Sequence, residues 1–189
     1  MESALIVSNV DKSTAFFTEM LTTASIGQIT VSQSCSQARR HMLERDFDLV
    51  IVNAPVRDET GESFSRQVAS KSVSQVILVV KSEYYEAVSA ACEKDGILTI
   101  AKPINRIVFW SALMLAKSSQ NRLTRMQAEN ARLMQKIEDI RIVDRAKCIL
   151  ISCLNMSEQE AHKYMEKQAM DMRETKRAIA EGILKTYEN

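Results

Sequence analysis

Proline occurs only twice and glycine only four times in these 189 residues, so few positions are built to stop a helix or force a tight turn. Aromatic residues make up 5% of the chain, with a single Trp, and histidine occurs twice. His41 and His162 stand too far apart in sequence, and too alone, to read as a histidine metal cluster. Cys35, Cys92, Cys148 and Cys153 show no C-x-x-C spacing and fall inside apolar patterns. They are expected to be buried free thiols in a reducing compartment, neither a disulfide frame nor metal ligands. No apolar run reaches the roughly 18 residues that a membrane-spanning helix needs. The opening "MESALIVSNVDKS" lacks a basic start and meets charge too early for a secretory signal. No nucleophile–base pairing stands out either. These absences lead to the expectation of a cytoplasmic protein that is not an enzyme, holds no metal or cofactor, and does not enter a membrane.

What is present is a helix-leaning globular composition, 46% apolar and 26% charged with a mean hydropathy of −0.16. The length allows one ordinary domain and something smaller. Net charge is +1, unevenly placed. Residues 1–105 hold 10 basic and 13 acidic side chains, a net of −3; residues 106–143 hold 7 and 3, a net of +4; residues 144–189 hold 8 and 8. The front of the chain has no electrostatic pull on a polyanion, the middle has some, and the tail needs a local basic face to exert any.

Three segments follow from the pattern. In 1–105, short β-branched runs ("ALIVS", "GQITV", "DLVIVN", "QVILVV", "GILTIA") alternate with helix-spaced stretches. Such alternation predicts a parallel sheet covered on both faces, a flavodoxin-like α/β fold of five strands. Asp95-Gly96 is the expected helix stop before the fifth strand. In 106–143 no Gly or Pro interrupts a helix. Its a and d positions read Ala116, Ser119, Leu123, Met126, Asn130, Leu133, Ile137 and Ile140, a coiled-coil seam with an amide at one a position, which favours two parallel strands. The alternative is one amphipathic helix packed on its own domain. In 144–189 three short helices are expected, with Asn155 as a left-handed cap, Ser157 and Glu160 as a capping box, Thr175 opening the third helix, and Ile179, Ile183 and Leu184 as its apolar face.

The tokens "ALIVSNVD", "DLVIVNAPV…TG", "VILVV" and "ILTIAKPIN" resemble the receiver domain of bacterial response regulators. The resemblance implies an Mg²⁺ site made by two acidic residues after the first strand, an aspartate phosphoacceptor ending the third, a hydroxyl ending the fourth, and a Lys-Pro after the fifth. Here those places fall on Ser8 and Asn9, on Asn53, on about Val80, and on Lys102-Pro103. A Mg²⁺ site needs hard, usually carboxylate, oxygens, and phosphoryl transfer needs an anionic nucleophile beside the metal. Asn53 is a neutral amide and Ser8 and Asn9 carry no charge, so a pseudo-receiver that cannot be phosphorylated on aspartate is expected. Lys102 is left with no evident partner.

The tail, "DRAKCILISCLNMSEQEAHKYMEKQAMDMRETKRAIAEGIL", resembles the ANTAR domain, the three-helix RNA-binding module of transcription antitermination regulators. Ala146-Lys147, Ile149-Leu150, Ser157-Glu158, Glu160-Ala161, Ala169-Met170 and Ala180 fall in register with that family's pattern. Cys148, Ile151, Asn155 and His162 depart from it at positions where glycine, methionine, glycine and an aromatic are usual. The resemblance implies a dimer that grips two stem-loops of a leader transcript and prevents a terminator hairpin. Candidate RNA contacts are Arg145, Lys147, Lys163, Tyr164, Lys167, Arg173, Lys176 and Arg177, each of which could equally be a solvated charge or, for Tyr164, a packing residue. Control falls to a partner protein that sequesters or activates the dimer, or activity is constitutive. A DNA-binding response-regulator-type transcription factor and a dimeric adaptor without nucleic-acid contacts are the other readings left open.

Overall fold

The computed structural model describes residues 1–187 and divides into two compact units, 1–125 and from Met126 onward. In the first unit the strands β1 (Ser3–Val7), β2 (Gln28–Ser32), β3 (Leu49–Asn53), β4 (Gln75–Lys81) and β5 (Leu98–Lys102) form one parallel sheet in the order β2-β1-β3-β4-β5. The helices α1 (Asp11–Thr23), α2 (Cys35–Glu44), α3 (Glu62–Lys71) and α4 (Tyr85–Cys92) alternate with the strands, and α5 (Arg106–Leu154) follows β5.

The apolar runs are continuous because both sheet faces are covered. Leu5, Val7, Val50, Val52, Leu78 and Val80 pack with Ala38 of α2, Phe64 and Val68 of α3 and Cys92 of α4. The alternate positions Ala4, Ile6, Leu49, Ile51, Ile77, Val79 and Ile100 pack with Phe17, Met20 and Leu21 of α1 and Phe109, Leu113 and Ala116 of α5. Gly96 adopts φ +71 where the expected stop lies. Gly61, at φ +88, would place a Cβ 2.9 Å from Val52 Cγ1, so β3 can approach the start of α3 only because that carbon is missing.

The second unit comprises the end of α5, α6 (Glu158–Met172) and α7 (Lys176–Tyr187). Ala146, Leu150, Ala161, Met165 and Ala180 are its buried centre, closed by Ile142, Val143, Met156, Ile183 and Leu184. Every expected terminus signal forms. Asn155 turns at φ 53, Ser157 and Glu160 make the reciprocal capping box, and the Thr175 hydroxyl accepts from the Ala178 amide at 3.2 Å.

Three expectations are corrected. The first tail helix is not separate, because α5 runs 49 residues to Leu154 through the expected border at 143/144, where no residue stops it. The seam does not begin at Ala116, which is fully buried with Phe109 and Leu113 on the sheet. Cys148 and Cys153 are exposed, because Ala146 and Leu150 define the buried face of that helix and leave 148 and 153 off it; only Cys35 and Cys92 are buried.

Candidate functional site

Open α/β sheets bind their ligands at the C-terminal strand ends, so the equivalents of the receiver site lie there. Ser8 and Asn53 are 2% and 1% exposed, and Asn53 Nδ2 donates to Ser8 Oγ at 3.0 Å. Asn53 Oδ1 is buried and has no hydrogen-bond partner among the described residues. Asn9 is exposed, Asp11 opens α1 on the surface, and Val80 is buried. Lys102 reaches back to donate to the Ala54 carbonyl at 2.6 Å. Burial first, and then the charge of Lys81, holds the Lys102 pKa below the ordinary lysine value. An amide–hydroxyl pair thus stands where the receiver pattern has carboxylates, and the lysine that the pattern also has is bound to a backbone carbonyl.

One group in this unit has metal-ligand composition. Cys35, Asp58 and Glu59 offer ligand atoms within 4.8 Å of one another. Each is already engaged. Asp58 accepts from the amides of Cys35 and Ser36, both at 2.9 Å, and from the Ser36 hydroxyl, capping α2 from a distant loop. Burial acts to raise its carboxyl, but these donors outweigh it and hold the pKa at about 2. Glu59 pairs with Arg39. Burial, then the Glu59 and Asp58 charges, push the Cys35 thiol up to about 12, so it is a neutral thiol and a poor ligand.

In the second unit the eight basic and aromatic candidates separate by partner. Lys147 is bound to Asp144 at 2.8 Å and lies 3.8 Å from Glu158. Lys176 pairs with Glu166 at 2.6 Å, beside His162. Arg177 bridges Asp139 at 2.7 Å and Glu181 at 2.8 Å. These three cations and His162 line an open hollow of about 740 Å³, and neighbouring carboxylates neutralise most of its charge. Arg145 and Arg173 are exposed, the latter at the left-handed residue that ends α6. Lys163, Tyr164 and Lys167 come together elsewhere, around a hollow of about 460 Å³ that Leu154, Asn155, Met156 and Glu160 complete. Sequence reasoning grouped the two lysines but treated Asn155 and Glu160 only as caps; that they also line this hollow depends on the turn geometry.

Along α5, Leu123 is half-buried and Asn130 exposed, while Met126, Leu133, Ile137 and Ile140 are 46–60% exposed. Among the described residues, nothing buries this apolar edge.

Residues 131–184 match the ANTAR domain. The chain is 28% identical over 139 residues to "Transcriptional regulatory protein PdtaR" of Mycobacterium tuberculosis, covering 74% of this chain and 68% of that protein. Among solved structures, it is similar to the signal receiver domain of an HD domain-containing protein from Pseudomonas fluorescens Pf-5 (TM-score 0.57, 18% identity, 66% of this chain and 94% of that one). A structure described as adenylate cyclase from Rhodopirellula baltica superposes with a TM-score of 0.62 at 14% identity, over 69% of this chain and 97% of that one. The first unit therefore has the receiver fold. After it in the sequence, residues 131–184 carry the ANTAR match, so a receiver-fold unit is followed by an ANTAR domain. Among the described residues, no helix is long and apolar enough to cross a membrane.

Proposed function

We propose that this protein is a transcription antitermination regulator that binds RNA as a parallel homodimer, each ANTAR head taking one of two stem-loops in a leader transcript. The carrying observation is where the ANTAR match begins. It starts at 131, within α5, and so includes the uncovered edge at Leu133, Ile137 and Ile140 together with the three-helix head. An apolar edge of 3–4 spacing is stable in water when a second copy covers it, and a parallel pair carries two heads. RNA is read mainly in unpaired loops by stacking and polar edge contacts, which suits a head whose net charge is near zero.

The receiver-fold unit is not phosphorylated on aspartate in this reading, because Asn53, Ser8 and Asn9 supply neither a carboxylate ligand for Mg²⁺ nor an anionic nucleophile. Its signal comes through a partner protein, or the dimer is active without one. No catalysis is assigned. The relative is named a transcriptional regulator, and the cyclase resemblance, at 14% identity, concerns the fold alone.

The test is a filter-binding titration with twin-hairpin, single-hairpin and scrambled-loop RNAs and the matching duplex DNA. Tight binding to the twin hairpin and weak binding to the others is expected. Equal affinity for all four would reduce the reading to charge attraction, and preference for the duplex would favour a DNA-binding regulator.

A further inference from the structure

Glu160, Lys163, Tyr164 and Lys167 stand at i, i+3, i+4 and i+7 of α6 and so share one face. The other face is buried through Ala161 and Met165. Across from the stripe, α5 ends at Leu154, the chain turns through Asn155 at φ 53, and Met156 leads to the cap at Ser157. These residues line the open hollow of about 460 Å³. From this we infer that the hollow receives one unpaired nucleobase of a bound RNA, stacked on Tyr164, with Lys163 and Lys167 on the flanking phosphates. The inference rests on the RNA reading above and deepens it.

The chemistry of the lining is that of a base and not of a phosphate. Tyr164 is 38% exposed and Leu154 44%, so a flat apolar face can cover both. The Glu160 carboxylate also lines the hollow, which repels a phosphate from its interior. The two lysines form no ion pair among the described residues, unlike Lys147, Lys176 and Arg177, which would have to give up carboxylates to reach RNA. The polar edge of the base meets two fixed groups. Glu160 Oε2 accepts from the Ser157 amide at 2.8 Å and hydroxyl at 2.7 Å, which anchors the carboxylate and, with the backbone bond first, holds its pKa below the usual range. Its Oε1 remains to accept from the base. Asn155 adds an amide that both donates and accepts. An acceptor carboxylate selects a base with an exocyclic amine, so adenine, cytosine or guanine is favoured over uracil.

The experiment uses the full-length protein and a pool of twin-hairpin RNAs with randomised loops. The tightest binders are recovered, irradiated for zero-length cross-linking, and mapped by mass spectrometry. The cross-link is expected at Tyr164. Tyr164→Phe should keep the affinity, whereas Tyr164→Leu, which preserves bulk without a ring, should lose roughly 5- to 150-fold. Glu160→Gln retains the capping pattern and should weaken discrimination against uracil while leaving the melting temperature in place. Lys71→Ala, in the first unit, should change nothing. Selected RNAs that bind Tyr164→Leu at full strength and cross-link elsewhere would overturn the hollow while leaving the RNA reading intact. A pool yielding no binder above duplex background would overturn both.

Discussion

Asn53 differs from an aspartate by one nitrogen in place of one oxygen, and the surroundings are built for the nitrogen. Its amide donates to Ser8, and Lys102, which would balance acidic groups in a receiver site, is spent on the Ala54 carbonyl. Acetyl phosphate with Mg²⁺ should therefore leave the intact mass of the protein unchanged. An acid-labile adduct within 1–105 would contradict this. Asn53→Asp should not restore the reaction, since Ser8 and Asn9 still bring no metal. It should instead cost roughly 1–3 kcal/mol of stability, the typical penalty for a buried acceptor deprived of its donor; thermal denaturation measures it. The cysteines give a second test at this scale. Iodoacetamide at pH 8 should modify the exposed Cys148 and Cys153 in the native protein and reach the buried Cys35 and Cys92 only on unfolding. Cys35 titrates near 12 when folded against an ordinary 9.0, so the stability it contributes is whole below pH 9 and is lost as the pH climbs from 9 towards 12. Cys35→Ala should flatten that alkaline decline in a urea-midpoint series. The neutral amide was legible in the sequence because side-chain identity alone shows that no aspartate stands at position 53. The partner of Lys102 was not, because a backbone carbonyl leaves no mark in a sequence.

Elements were legible where their signals are local and obscure where they are not. The capping box at Ser157, the left-handed turn at Asn155 and the stop at Gly96 all depend on residues within a few positions of each other, and all form as expected. The cap of α2 by Asp58 spans 22–23 residues and no local pattern announces it. The same logic applies at 143/144. A helix stops where something stops it, and α5 meets nothing before Asn155, so the change of composition there brings no break in the helix. The buried role of Ala116 was hidden for a related reason. Heptad spacing and the face that packs on a sheet share the same 3–4 steps, and only the tertiary fold decides between them. Two substitutions test the local devices. Ser157→Ala should destabilise the α6 start by about 1 kcal/mol, seen as lower protection of its first amides in hydrogen exchange. Asn155→Gly should leave stability equal or up to about 1 kcal/mol higher, since glycine takes a positive φ freely. It should also lose RNA selectivity, which separates the turn's structural role from its contact role.

At the scale of the whole molecule, the uncovered edge of α5 and the near-neutral head have to be explained together. A head holding 8 basic and 8 acidic residues can neutralise few phosphates, so one head alone should bind RNA weakly. Two heads joined through α5 make the second contact intramolecular, worth on the order of 10²-fold or more when the hairpin spacing permits. In the proposed dimer assembly would be the main source of affinity, and it can be tested separately from RNA. Light scattering should give twice the 21.3 kDa chain mass at micromolar concentration, and spin labels at Leu123 should lie close to each other across the dimer, as should those at Ile140. A large separation within both pairs would reject the parallel arrangement. Asn130→Leu should raise the melting temperature while admitting higher oligomers, because a seam amide gives up stability to fix two strands. Leu133→Lys with Ile137→Lys should yield a monomer with folded heads. That monomer should bind a single hairpin as the wild type does and lose the twin-hairpin advantage of about 10²-fold. If it kept the advantage, avidity would not be the mechanism, and the uncovered edge would need another explanation.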